Sequence, residues 1–209
     1  MKVMFLVGEV SGEQRATELF ARMAKLYPGA EFYGMGGAVL RAAGYRVEYD
    51  NSALSVVGLL EILTILRQVK SALKYVKNTL QENTPDLLVC VDYQGFNIRA
   101  AKLAAKYNVP VFFYVGPQVW ASRPWRIKNY ARYVKHMAVL FPFEKTLYKD
   151  HDIDVQYFGH PLVKTMAKVM DQTTARQQLA LPEGRRVLAI LPGSRVNEVK
   201  SLLPVLCEV

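Results

Sequence analysis

The chain has 209 residues, 51% of them hydrophobic, and a formal net charge of +9 at pH 7. That is enough for one large domain or one and a half ordinary ones with a real core, and it excludes a disordered segment. No window of about 18 uninterrupted apolar residues exists, so no membrane-spanning helix is expected, and Cys90 and Cys207 form no disulfide or metal-ligating spacing.

Lys2 leads directly into Val3–Val7, a strand-length run without an h-region or cleavage site, so a signal peptide is not expected and a reducing cytosol is the natural compartment. Gly8-Glu9-Val10-Ser11-Gly12-Glu13 follows, then a helical stretch to about Tyr27. Glycines flanking a serine after a first strand allow a tight turn and close approach to a ligand at a helix N-terminus. The pattern is neither G-x-G-x-x-G nor a P-loop, which disfavours ordinary dehydrogenases and NTPases. Glu31–Tyr33 reads as a short strand, Gly34-Met35-Gly36-Gly37 as a glycine-rich loop, Ala38–Ala43 as a short helix and Arg46–Glu48 as another strand. Ser55 to Leu66 is apolar nearly all round before a polar-studded helix to about Gln81. Either it is buried between sheet and helices, or Val56, Val57, Leu59, Leu60 and Leu63 touch lipid or acyl chains.

Leu87–Val91 is an unbroken apolar run that suits a strand buried on both faces of a parallel sheet, and a helical pattern is established by Ile98. Asp92 therefore stands at the carboxyl end of a central strand, where open α/β sheets place their ligands. There it is either a general base or the cap of the next helix. Val109–Val115 makes a further strand, and the loop after it carries Trp120 to the same edge. A short helix over Arg126–Tyr133, a strand over His136–Leu140, a helix starting at Phe141-Pro142-Phe143-Glu144 and a strand over Val155–Phe158 follow. The alternation predicts a doubly wound, Rossmann-like α/β sheet.

Much of the excess positive charge lies in Arg123, Arg126, Lys128, Arg132 and Lys135, interleaved with Trp120, Trp125, Tyr130 and Tyr133. Phosphate groups on a substrate, an anionic membrane surface or a plain solvated face account for this better than nucleic acid, for which no motif is present. Gly159-His160-Pro161-Leu162 marks a domain exit. After a helical stretch over about 163–180, a strand over Arg186–Leu191 and the turn Pro192-Gly193-Ser194-Arg195 restart the pattern. The organisation expected is a domain over 1–160, then a linker and the first βα unit of a second Rossmann-like domain over 161–209, incomplete because one βα unit cannot bury its apolar face.

The ordered motifs Gly8–Glu13, Tyr33–Gly37, Leu54–Glu61, Asp92–Asn97, Pro117–Ala121, Pro142–Glu144, Gly159–Leu162 and Leu191–Arg195 resemble the N-terminal half of the lipid-A-disaccharide synthases. The resemblance spans nearly the whole chain. It implies half of a two-domain, GT-B-type inverting glycosyltransferase, cytoplasmic and peripheral on the inner membrane. Its members join UDP-2,3-diacylglucosamine to 2,3-diacylglucosamine 1-phosphate and need no cofactor or metal. Partners would be those two substrates and the anionic inner-membrane surface, with self-association left open. Asp92 matches the acid that deprotonates the acceptor's 6-hydroxyl. Glu9, Ser11 and Gly12 match a loop at the interdomain cleft, and Asn97 and Trp120 match acceptor-side positions. Arg195 matches a residue facing the UDP diphosphate, where a guanidinium fork suits phosphate.

Three positions depart from the family pattern. Glu13 stands where Asp is usual, with Gln14-Arg15-Ala16 in place of small apolar residues. Gly95 replaces a common Asp, and Ser122 a second Trp. The resemblance places further donor-site residues past position 209, so the chain alone is expected to be inactive. Two readings compete with it: a non-catalytic membrane-docking module, and another GT-B enzyme such as a UDP-sugar epimerase.

Overall fold

The computed structural model describes residues 1–8, 10–54, 62–160, 163, 166–167, 169–182, 184–193 and 196–208. Among these, seven strands form one sheet: β1 (Lys2–Val7), β2 (Glu31–Gly36), β3 (Arg46–Asp50), β4 (Leu87–Val91), β5 (Val111–Tyr114), β6 (His136–Val139) and β7 (Asp154–Tyr157). Their order is β3-β2-β1-β4-β5-β6-β7 and every pairing is parallel. The connections carry α1 (Val10–Leu26), α2 (Ala38–Ala42), α3 (Ile62–Glu82), α4 (Gln94–Ala105), α5 (Val119–Ser122), α6 (Ile127–Tyr133) and α7 (Glu144–Leu147). The fold is the doubly wound α/β sheet that the alternation predicts.

Alternation along β1 and β4 sorts the core into two layers, because successive side chains in a strand point to opposite faces. Met4, Leu6, Leu88 and Cys90 pack with Ala72, Val76 and Leu80 of α3 and Phe96, Ala100 and Ala104 of α4. Val3, Phe5, Val7, Val89 and Val91 pack on the other face with Ala16 and Phe20 of α1 and Leu40 of α2. The helices change faces where the strand order reverses, between β1 and β4. Val7 lies beside Val91 there, so the two strands end together.

The structure corrects the element boundaries in two places in this sheet. Gly34–Gly36 is the buried end of β2, not a loop, with a register shift between Gly34 and Met35. Helix α4 begins at Gln94, earlier than Ile98, because Asp92 and Tyr93 (φ 50° and 39°) make a left-handed turn whose Tyr93 carbonyl accepts from the N–H groups of Phe96 and Asn97.

Met1–Val163 and Lys164–Val209 form two compact units. In the second, α8 (Gln172–Gln178) and α9 (Val196–Cys207) are helical. The helix expected over 163–180 is not continuous: Asp171 caps α8, its Oδ1 accepting from the Thr174 N–H at 3.0 Å. The strand expected over 186–191 makes no ladder among the described residues, and Leu188 and Leu191 are 82% and 88% exposed. Among the described residues this segment has no neighbouring strand to satisfy its backbone groups, so the apolar pattern that marks it as a strand has nothing there to pair with.

Candidate active site

The carboxyl ends of β1 and β4 lie side by side at the switch point, and the segments that leave them converge. From β4 comes Asp92, whose N–H donates to the Tyr114 carbonyl of β5 at 3.3 Å. Non-glycine residues adopt left-handed φ values sparingly, and two in succession mark a turn held by its surroundings. One holder is the Tyr93 ring, which stacks on Phe96 and covers Gly8: a Cβ on Gly8 would stand 2.0 Å from the Tyr93 ring. Only glycine lets the β1 exit pass under that ring.

A second holder is Asn97, fully buried in α4. Its Nδ2 donates to the carbonyls of Asp92 (2.8 Å), Val91 (3.2 Å) and Leu6 (3.4 Å), while its Oδ1 has no hydrogen-bond partner among the described residues. One amide thus ties α4 to the ends of both β4 and β1. Asn97 acts on Asp92 through the backbone, which makes it a positioning residue in this geometry.

From β1 comes α1, which brings Arg15 to Asp92: Arg15 Nη1 lies 2.5 Å from Asp92 Oδ2, with both side chains about a quarter to a third exposed. A Cβ on Gly12 would stand 3.7 Å from the same Oδ2, so the α1 backbone closes in on the carboxylate. The helix-cap position falls to Tyr93, not Asp92. Two residues before Arg15 in α1, Glu13 is buried. Its Oε2 accepts from the Val39 N–H (3.0 Å) and its Oε1 from Asn51 Nδ2 (2.9 Å), which also donates to the Val7 carbonyl (3.0 Å). These bonds bind the starts of α1 and α2 and the exit of β3 into one frame. Burial pushes the Cys90 thiol in β4 up, so it stays a neutral core group.

Farther along the same edge, Trp120 sits in α5, 40% exposed. Its Nε1 donates to Glu144 Oε1 at 3.1 Å, and its ring meets Phe143 edge-on at 5.1 Å. Glu144 is buried, and its Oε2 accepts from the N–H groups of Leu140 (3.1 Å) and Phe141 (2.9 Å). The basic-aromatic stretch divides here. Tyr130 enters the core, while Trp125 is 69% exposed and Arg123, Lys128, Arg132 and Lys135 face solvent.

A model of the lipid-A-disaccharide synthetase family matches residues 3–209. The chain belongs to this family. It is 40% identical over 206 residues to lipid-A-disaccharide synthase 1 of Legionella pneumophila, covering 98% of this chain and 54% of that protein. To the Geobacter metallireducens lipid-A-disaccharide synthase it is 39% identical over 207 residues, covering 99% and 54%. The chain thus spans about half the length of the curated relatives it matches. Among solved structures, a UDP-N-acetylglucosamine 2-epimerase superposes with a TM-score of 0.59 at 15% identity, covering 82% of this chain and 52% of that one. Acinetobacter baumannii MurG gives 0.51 at 11%, covering 83% and 47%. At such identities the likeness concerns the fold alone, a Rossmann-like half.

Of the residues that the resemblance assigns to the lipid-A-disaccharide synthetase site, the structure brings Asp92, Gly12 and Asn97 together and sets Trp120 farther along the edge. Ser11 is in the first turn of α1. Leu63 is in α3, and the adjoining Leu66 is 56% exposed. Glu9, Val56, Val57, Leu59, Leu60 and Arg195 lie outside the described residues. No helix among the described residues is long and apolar enough to cross a membrane. Sequence reasoning gave no role to Arg15 or Glu144. An acid inside Phe141-Pro142-Phe143-Glu144 was the available signal for Glu144. Replacing it leaves two backbone donors and the indole without their acceptor. Glu144→Ala, in a Trp125→Phe background that isolates Trp120, should lower stability by about 2–4 kcal/mol and red-shift the indole emission. An unshifted emission spectrum would remove Glu144 as the support of Trp120.

Proposed function

We propose that the chain is the acceptor-side half of an inverting glycosyltransferase that joins UDP-2,3-diacylglucosamine to 2,3-diacylglucosamine 1-phosphate. The products are a β-1,6-linked disaccharide 1-phosphate and UDP. The observation that carries this reading is the Asp92 carboxylate at the switch point, fixed by Asn97 and Arg15, in a chain of this family. Asp92 takes the proton of the acceptor's 6-hydroxyl as that oxygen attacks the donor's anomeric carbon. The bond from this carbon to the UDP oxygen breaks on the opposite side, and the configuration inverts. Arg15 fixes one carboxylate oxygen so that the group meets the hydroxyl in a set orientation.

In the same reading Glu9, Ser11 and Gly12 line the cleft beside Asp92, and Trp120 walls the acceptor. Lys164–Val209 opens the UDP-sugar-binding domain, with Arg195 toward the diphosphate. Residues 55–66, ending in the exposed Leu66, serve acyl chains or the bilayer face, and the outward cations between Arg123 and Lys135 serve the anionic inner-membrane surface, which makes the protein peripheral there. Beyond Arg195, stabilisation of the departing UDP is assigned to the half of the relatives that this chain does not span. Transfer is measured with this chain beside a version extended to the relatives' length. Transfer only in the extended version is expected. No transfer in either, with vesicle binding retained, would favour a docking module instead.

A further inference from the structure

Among the described residues, two arginines near the start of α4 make no ion pair with a carboxylate. A cavity of about 170 Å³ lies between α4 and the 3-10 turn Pro124–Arg126 with α6, lined by Gly95, Ile98, Arg99, Arg126, Asn129 and Tyr130. Neither Arg99 nor Arg126 is in a salt bridge among the described residues. The floor is Tyr130, 1% exposed, whose hydroxyl donates to the Gln94 carbonyl at 3.4 Å. Burial pushes this phenol up to about 12, so it adds no negative charge, and Arg126 is close enough to pull in the other direction. Gly95, in the first turn of α4, adds no side chain to the lining. Among the described residues its lining therefore holds two guanidinium groups, one carboxamide and no acid.

We infer that Arg99, Arg126 and Asn129 form a binding subsite for a phosphate monoester. Guanidinium forks match phosphate oxygens pairwise, an arrangement more selective than an isolated ammonium. The subsite opens three residues from Asp92. Its assignment to the acceptor's 1-phosphate rests on the glycosyl-transfer reading, since that group and the 6-hydroxyl that Asp92 deprotonates are carried by the two carbons flanking the same ring oxygen. An anionic phospholipid headgroup shares the phosphate chemistry as a diester.

The test uses binding, not turnover, so a failed transfer assay leaves it readable. Glucosamine 1-phosphate and, separately, inorganic phosphate are titrated into this chain while the Arg99 and Arg126 Nε–Hε resonances are followed. Both ligands should shift both resonances, and unphosphorylated glucosamine should shift neither. A Cβ at Gly95 meets nothing within 4 Å and its φ is not in the left-handed region, so Gly95→Asp fits the fold. Placing Asp early in α4 suits the helix, and melting should stay level or rise. The new carboxylate should nevertheless weaken glucosamine 1-phosphate about tenfold or more, as should Arg126→Gln. Absent shifts, or affinity unchanged by both variants, overturn the subsite. Shifts with phosphatidylglycerol vesicles but not with glucosamine 1-phosphate overturn the monoester assignment.

Discussion

Asp92→Asn in the extended protein should lower transfer by about 10²- to 10⁴-fold, the range over which a positioned general base acts. Asn keeps the size of the group and can still accept from Arg15, but it cannot take the proton of the acceptor's hydroxyl. The loss should fall on kcat, with KM for the acceptor little changed, because in the proposed reaction the carboxylate works on the reacting bond and adds little to uniform binding. Folding is a weak confounder. The Arg15–Asp92 pair is about a quarter to a third exposed, and such pairs contribute about 0–1 kcal/mol. The left-handed turn at Asp92 and Tyr93 is held by Asn97 and by the Tyr93–Phe96 stack, which the substitution leaves in place. Transfer within a few-fold of the unaltered protein would remove Asp92 as the base.

Asp92 was legible because Leu87–Val91 is an apolar run with only one plausible fate, a strand covered on both faces, and the residue after such a strand sits at the sheet's ligand-bearing edge. Arg15 and Glu144 were not legible for a common reason. Each acts on a partner far away in sequence, Arg15 across 77 residues and Glu144 across 24 to Trp120, and no local pattern encodes that distance. Asn97 was picked out by its motif, and the structure adds what its side chain holds. Full burial and three backbone acceptors show it shaping the turn that carries Asp92. The misread segments divide by cause. Arg186–Leu191 has a strand's composition without a strand's neighbours, since propensity describes fit to a pleated surface that must be present. Gly34–Gly36 has a loop's composition inside a strand, because Gly36 makes room for the Leu40 side chain of α2 and Gly34 answers a close backbone approach across the sheet.

That approach sets the largest stability effect expected in the molecule. Gly34 lies in β2 opposite Phe5 of β1, with φ +133°, a region that residues with a Cβ rarely enter. A Cβ there would stand 2.4 Å from the Phe5 carbonyl oxygen, 2.9 Å from the Tyr45 hydroxyl and 3.1 Å from Met4 Cγ. The first contact is backbone in the middle of a fully buried strand, so no rotamer change relieves it. The Tyr45 hydroxyl is also committed, within 3.1 Å of the Phe5 N–H that donates to it. Gly34→Ala combines backbone strain of about 1–3 kcal/mol with overpacking of about the same size, about 3–5 kcal/mol together. Ala at position 29 is the control, because a Cβ at Gly29 meets nothing within 4 Å and its φ is not left-handed. Chemical denaturation should show the Gly34→Ala midpoint falling steeply while Gly29→Ala stays near the parent. Loss of the β1–β2 register would also shift Val7 against Val91, and with it the switch-point frame around Asp92. Equal midpoints for the two variants would mean that β1 and β2 can separate to admit a methyl group, and the tie between the glycine-rich motif and the site would fail with it.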